Sequence, residues 1–153
     1  TKTENGIVKL QIWDTCGEEI YAFINESYYR GFHCFILGYD ITSKESFESM
    51  KSKFYISILR NLEANQVENP LIYLVANKID LLDRIQVPFE EAISFANEKQ
   101  IPFFKISAKT GEGIDNLINH VINSLIKQFP LTNTKQNKTI KIDEKKKKEK
   151  KCY

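Results

Sequence analysis

Two continuous apolar runs, Phe35 to Tyr39 and Leu71 to Ala76, constrain this chain more than any other feature. Each is short for a helix and too uniformly apolar for a strand with one wet face, which is the pattern of strands buried in a parallel sheet. Parallel strands cannot be joined by a tight turn and need a crossover, usually a helix. The intervening residues supply one. Phe47, Met50, Phe54, Ile58 and Leu62 recur three or four apart and predict an amphipathic helix from about residue 44 to 65. A second helix is expected after Pro88, whose fixed φ suits a first turn. Leu117, Ile118, Val121, Ile122, Leu125 and Ile126 predict a third, ending before Pro130, and Phe103 to Ile106 is a further strand candidate. The alternation predicts an α/β fold with a mainly parallel sheet flanked by helices.

At the start of the chain the period changes. Ile7 to Trp13 alternates, with Val8, Leu10 and Ile12 on one face, and predicts a strand. Asn5-Gly6 just before it is a strong hairpin-turn pair, because both residues tolerate positive φ, so Thr1 to Glu4 is expected to be the end of a partner strand. At the other end the pattern stops near Thr132, and Asn, Gln, Thr and Lys take over. Such a segment cannot bury enough apolar surface to order itself. The expected organisation is a domain over 1–131 and a disordered lysine-rich tail over 132–153.

Composition narrows the class. In 153 residues the apolar share is 42% and the charged share 27%, as in a globular domain, and no apolar run approaches a membrane span. The chain opens Thr1-Lys2-Thr3-Glu4 without an apolar signal core or an initiator methionine, so secretion is not expected and this is not expected to be the natural start. Cys16, Cys34 and Cys152 lack metal-ligand spacing and are expected to be reduced thiols. The Asn-x-Ser/Thr triplets at Asn25 and Asn137 are then accidental. Charge is divided unevenly: residues 1–134 hold 13 Lys and Arg against 17 Asp and Glu, whereas residues 135–153 hold nine lysines against three acids. An acidic body with a basic tail suggests that the tail meets something anionic.

In an open parallel sheet, ligands bind beyond the carboxyl ends of the strands. Three segments fall there: Asp14-Thr15-Cys16-Gly17-Glu18-Glu19, Asn77-Lys78-Ile79-Asp80 and Ser107-Ala108-Lys109. A carboxylate at Asp80 can accept two parallel hydrogen bonds from adjacent N–H groups on one edge of a ring, an edge that guanine has and adenine lacks. Lys78 can lay its aliphatic stem along the base, Asn77 can tie neighbouring loops together, and Ser107, Ala108 and Lys109 can offer backbone N–H groups to the base carbonyl. Alone, an Asn-Lys-x-Asp run is a weak signal and reads equally as a capped loop before a helix. Followed by Ser-Ala-Lys about 30 residues on, with each run after an apolar strand, it is specific.

The combination of Asp14-Thr15-x-Gly17, Asn77-Lys78-x-Asp80 and Ser107-Ala108-Lys109 resembles the Ras superfamily of small GTPases. Lys9 to Thr15, Tyr28-Tyr29-Arg30-Gly31 and Tyr39-Asp40-Ile41-Thr42 with Glu45-Ser46-Phe47 resemble its Rab branch, over roughly residues 5 to 130. The resemblance implies a P-loop NTPase-like sheet, GTP or GDP and Mg²⁺ as ligands, and a role in vesicle traffic. It also implies that Asp14 serves the Mg²⁺ site through a water, that the Gly17 N–H meets the γ-phosphate, and that residues 15–31 form the second switch. Effectors, exchange factors and activating factors would engage that switch. The implied location is cytoplasmic, peripheral on the cytosolic face of membranes, with no nucleic-acid partner.

Two departures from the family pattern bear on activity. Glu18 occupies the position that normally carries the water-orienting glutamine. An amide donates and accepts, whereas an ionised carboxylate only accepts, although it could also act as a base; the sequence leaves the sign open. In addition, no G-x-x-x-x-G-K-[S/T] occurs in the 153 residues, and the first strand, phosphate loop and first helix of the family fold have no counterpart in them. That strand lies near the middle of the family's sheet, and each buried backbone group left without a partner costs about 1–3 kcal/mol. An incomplete sequence is therefore expected, with a non-catalytic or truncated Rab-like interaction protein as the alternative to a cycling switch. The tail, Lys145 to Lys151 interrupted only by Glu149, reads as a solvated segment, a nuclear-import signal, or a tether to an anionic membrane ending in a lipidated Cys152.

Overall fold

The computed structural model describes residues 2–3, 6–14, 32–67 and 69–130. Its centre is a three-stranded parallel sheet in the order β3-β4-β5, made of β3 (Cys34–Asp40), β4 (Leu71–Asn77) and β5 (Phe103–Lys105). Strands β3 and β4 pair along their whole length, from Cys34 opposite Leu71 to Asp40 opposite Asn77. Leu74 to Ala76 then pair with Phe103 to Lys105. This is the expected α/β architecture, with the crossovers between these strands made through helix.

The central strand explains its own composition. Ile72, Leu74 and Ala76 face a core shared with Phe35, Leu37 and Tyr39 of β3 and with the helices over that side. Tyr73 and Val75 face a second core, built with Leu117 and Val121 of α4 (Ile114–Gln128). Both faces are dry, so no polar alternation is tolerated. Strand β3 differs: Phe35, Leu37 and Tyr39 are buried, whereas Ile36 between them is 44% exposed.

The stretch between β3 and β4 is helical throughout but not uniform. It runs as α1 (Lys44–Ser49), a π-helical segment (Met50–Tyr55) and α2 (Ile56–Ala64). Ser43 caps α1 by accepting the Ser46 N–H. A uniform 3.6-residue period would put Phe54 in the core. The wider π turn brings residue i+5 above residue i, so Tyr55 is buried with Met50, and Phe54 is only partly buried. Pro88 precedes α3 (Phe89–Lys99), and Gln100 ends it in a left-handed conformation. Gly113, at φ 75, precedes α4 with its backbone so close to the Lys105 carbonyl that a Cβ would stand 2.2 Å from that oxygen.

Residues 8–14 correct the expectation of a strand from Ile7 to Trp13. Only β1 (Lys2–Thr3) and β2 (Gly6–Ile7) pair, as a small antiparallel sheet of their own. Beyond Ile7 the chain pairs with no strand among the described residues, and alternation alone cannot hold it in a sheet. Ile12 and Trp13 are 74% and 54% exposed. Gly6 pairs with Thr3 and so lies in the ladder, not in the turn. The tail expected over 132–153 and the second switch over 15–31 lie outside the described residues. Among the described residues, no helix is long and apolar enough to cross a membrane.

Candidate functional site

The carboxyl ends of β3, β4 and β5 converge on one cluster of polar residues. Strand β4 ends at Asn77, and Lys78 then turns the chain with left-handed dihedrals, φ 67 and ψ 35. A 3₁₀ turn over Ile79–Arg84 follows and carries Asp80. After β5, Ile106 is pinned to β4 and the turn that follows it: its N–H donates to the Ala76 carbonyl at 2.8 Å, and its own carbonyl accepts from Ile79 N–H at 3.2 Å. Ser107, Ala108 and Lys109 are thereby set beside Asn77 and Asp80.

Side chains lock the two loops together. Asn77 Oδ1 accepts from the Ala108 N–H at 3.0 Å and from the Lys78 N–H at 2.7 Å. The Ser107 hydroxyl donates to Asp80 Oδ1 at 2.6 Å and accepts from the Thr110 N–H at 3.1 Å. Ser107 is fully buried and is the one buried polar residue of the described core. Asp80 keeps 14% of its side chain exposed, and its Oδ2 stands 4.0 Å from Lys109 Nζ. The Ser107 hydrogen bond fixes the orientation of a carboxylate that keeps further acceptor capacity on both oxygens.

The backbone N–H groups of the Ser-Ala-Lys loop are not all free for a ligand. The Ser107 N–H donates to the Glu112 carbonyl at 2.9 Å, and the Ala108 N–H is taken by Asn77. Lys109 is 81% exposed at its side chain, at the tip of the loop. The cluster thus sets an oriented acceptor, the Asp80 carboxylate, beside the exposed loop that carries Lys109.

Asp40, at the end of β3, joins the cluster. Its Oδ1 accepts from the Thr42 N–H at 2.8 Å and the Thr42 hydroxyl at 2.7 Å. Its Oδ2 meets Lys78 Nζ at 2.5 Å. Desolvation by itself raises the Asp40 carboxyl, but the hydrogen bonds from Lys78 and Thr42 and the Lys78 charge outweigh it, and the group lies below its ordinary value. Reasoning from sequence passed over this contact. The available signal was an aspartate closing an apolar strand in Tyr39-Asp40-Ile41-Thr42.

The structure thus gathers Asn77, Lys78, Asp80, Ser107, Ala108 and Lys109. Asp14 is exposed, and among the described residues no hydrogen bond or ion pair connects it to this set. Among the described residues, no three His, Cys, Asp or Glu side chains are grouped as they would be in a site built wholly from protein ligands. Gly17, Glu18 and Cys152 lie outside the described residues. Cys34 is unpaired and half-buried, and desolvation pushes its thiol up to about 12.

Comparison with known proteins gives the same family. The family model described as Ras family matches residues 1–127. Over 108 residues the chain is 41% identical to Ras-related protein RABD2a of Arabidopsis thaliana, covering 71% of this chain and 51% of that protein. It is 37% identical over 121 residues to GTP-binding protein ypt2 of Schizosaccharomyces pombe, covering 79% and 58%. It is 36% identical over 137 residues to Ras-related protein Rab-1A of Dictyostelium discoideum, covering 87% and 65%. The chain spans between about half and two thirds of the length of these curated relatives. The chain belongs to the Ras family, as a Rab-type member.

Proposed function

We propose that these residues form the guanine-reading half of a nucleotide-dependent switch that acts in membrane traffic. The observation that carries this reading is the pair of interlocked loops, in which Asn77 holds Ala108 and Ser107 orients Asp80. An aspartate fixed by a buried hydroxyl is poised to take both N–H groups of a guanine edge, and it repels the acceptor edge of adenine. The Lys78 stem offers apolar surface to one face of the base.

The remaining roles follow from the family. Asp14 would help to hold Mg²⁺, and the Gly17 N–H would donate to the γ-phosphate. Bound Mg²⁺ supplies charge neutralisation to the phosphates. Residues 15–31 carry the contacts to effectors, exchange factors and activating factors. The lysines of residues 135–153 lie against an anionic membrane surface, with Cys152 as the lipidation site, which puts the protein on the cytosolic face.

Glu18 favours a second reading, a Rab-like interaction protein that does not cycle nucleotide. A carboxylate lacks the N–H that an amide offers to the transferring phosphoryl group, and its charge opposes that group's own. Hydrolysis in single-turnover assays, compared between the natural residue and Glu18→Gln, separates the two readings.

The base site itself is tested on the 153-residue chain, which contains no phosphate-loop motif. Titration with GMP should move the backbone amide signals of Lys78, Asp80, Ala108 and Lys109, with a dissociation constant no tighter than about millimolar, roughly 4 kcal/mol of contacts. AMP should leave them in place. Equal shifts with AMP would sink the guanine reading. Sub-micromolar, Mg²⁺-dependent GTP binding would instead mean that residues outside the cluster build a complete phosphate site.

A further inference from the structure

Lys78 is held at both ends. Its backbone N–H donates to Asn77 Oδ1 at 2.7 Å, while its ammonium meets Asp40 Oδ2 at 2.5 Å. Asp40 and Asn77 are register partners at the ends of β3 and β4. The four-carbon stem therefore bridges the carboxyl ends of the two strands. The backbone of Lys78 is left-handed, a region that residues with a Cβ enter only when their surroundings impose it.

The two partners are unequal in freedom. Asp40 is 21% exposed at its side chain and is fixed from three directions. Thr42 occupies Oδ1 with both its N–H and its hydroxyl, and the Asp40 N–H donates to Ser46 Oγ at 2.8 Å. Only Oδ2 is left, and it takes the ammonium. Lys78 is 51% exposed, and a lysine stem in that setting samples many rotamers unless something holds its end. The carboxylate is the post and the lysine is what it tethers.

Resting on the guanine-site reading, we infer that Asp40 is a positioning residue for base binding. It holds the Lys78 ammonium so that the stem is preset as an apolar strip for one face of the purine whose edge Asp80 reads. A stem ordered in advance spares the rotamer entropy that would otherwise be lost on binding. The competing account is an ordinary half-exposed ion pair, which contributes little to anything.

Two measurements on the full chain decide it. The first needs no nucleotide. Competitive acylation of lysines at pH 8, read by mass spectrometry, should show Lys78 reacting about two- to fivefold faster in Asp40→Asn than in the wild type, the range for a partly exposed pair. Lys44 and Lys127 serve as internal references and should be unchanged. The second is a double-mutant cycle read by GMP titration. Asp40→Asn should weaken GMP binding by about two- to fivefold in the wild-type background and have no further effect in Lys78→Ala.

Unchanged Lys78 reactivity in Asp40→Asn overturns the tether. Equal loss of GMP binding in both backgrounds overturns the route through Lys78 and makes Asp40 a structural residue. A chain that shows the reactivity change but binds GMP and AMP alike overturns Asp40's role because the guanine site itself has failed. The first arm tells that case from a missing tether.

Discussion

The Ser107 hydroxyl donates a 2.6 Å hydrogen bond to Asp80 Oδ1 across 27 residues of chain. It joins the loop after β5 to the 3₁₀ turn after β4, and its donor is fully buried. The same hydroxyl accepts the Thr110 N–H, so one oxygen both orients the Asp80 carboxylate and closes its own loop. Fixing the carboxylate in advance spares the ordering cost when a ligand arrives.

Removing that hydroxyl should therefore cost stability and recognition together. Ser107→Ala leaves Asp80 and the Thr110 N–H each short of a partner. The expected loss is about 1–3 kcal/mol in urea unfolding, since an unmade buried hydrogen bond costs more than a made one contributes. A denaturation midpoint equal to the wild type would show that water replaces the hydroxyl without penalty.

Asp80→Asn should act on recognition more than on stability. The amide keeps an acceptor for Ser107 but exchanges an ionised double acceptor for a neutral group carrying an N–H. Hydrogen bonds to charged groups contribute about 1.5–3 kcal/mol, so the GMP dissociation constant should rise by roughly tenfold or more. The practical outcome is a GMP titration curve displaced to roughly tenfold or more higher concentration. An unchanged GMP dissociation constant in the mutant would remove Asp80 from the base site.

Asp40 sets a pH dependence whose sign is fixed. Its carboxyl lies below the ordinary value in the folded chain, despite desolvation, because of Lys78 and Thr42. A group depressed on folding contributes stability that is present above the unfolded carboxylate pKa of about 3.9. That contribution is lost as pH falls from there through the folded value. The stability gap between wild type and Asp40→Asn should be constant from about pH 5 to 8 and narrow below about pH 4. Urea midpoints measured across that range test it, and a gap that widens in acid would reverse the assignment.

Deleting residues 135–153 should separate the tail from the domain. With nine lysines against three acids, this segment is expected to contribute little to the core, so the melting temperature of the remainder should stay within about 2 °C of the full chain. Binding to vesicles rich in anionic lipid should fall, and the full chain's binding should weaken with added salt. A large drop in melting temperature would mean that the tail packs on the domain.

How much was legible beforehand depended on range. Leu71 to Ala76 announced a strand buried on both faces because every residue in it is apolar, and β4 is that strand. The helix of Leu117, Val121 and Ile122 was equally plain from its period. The uniform helix over 44–65 was not, since the period cannot reveal a π segment that shifts burial from Phe54 to Tyr55. The strand over Ile7 to Trp13 also failed, because alternation states which face would be buried but not whether a partner strand exists.

Sequence alone determined which polar residues stand at the carboxyl ends of the strands. Asparagine, lysine, aspartate, serine and alanine stand after apolar strands at recognisable spacing, and their donor and acceptor chemistry is a property of the residue types. Only the tertiary structure decided how those groups are used. It brought Ser107 to Asp80, Ala108 to Asn77 and Asp40 to Lys78, contacts made across 27, 31 and 38 residues. They depend on the parallel register of β3, β4 and β5, which sets the strand ends side by side. The register follows from packing both faces of β4 at once, a condition on the whole core that no local run of residues contains.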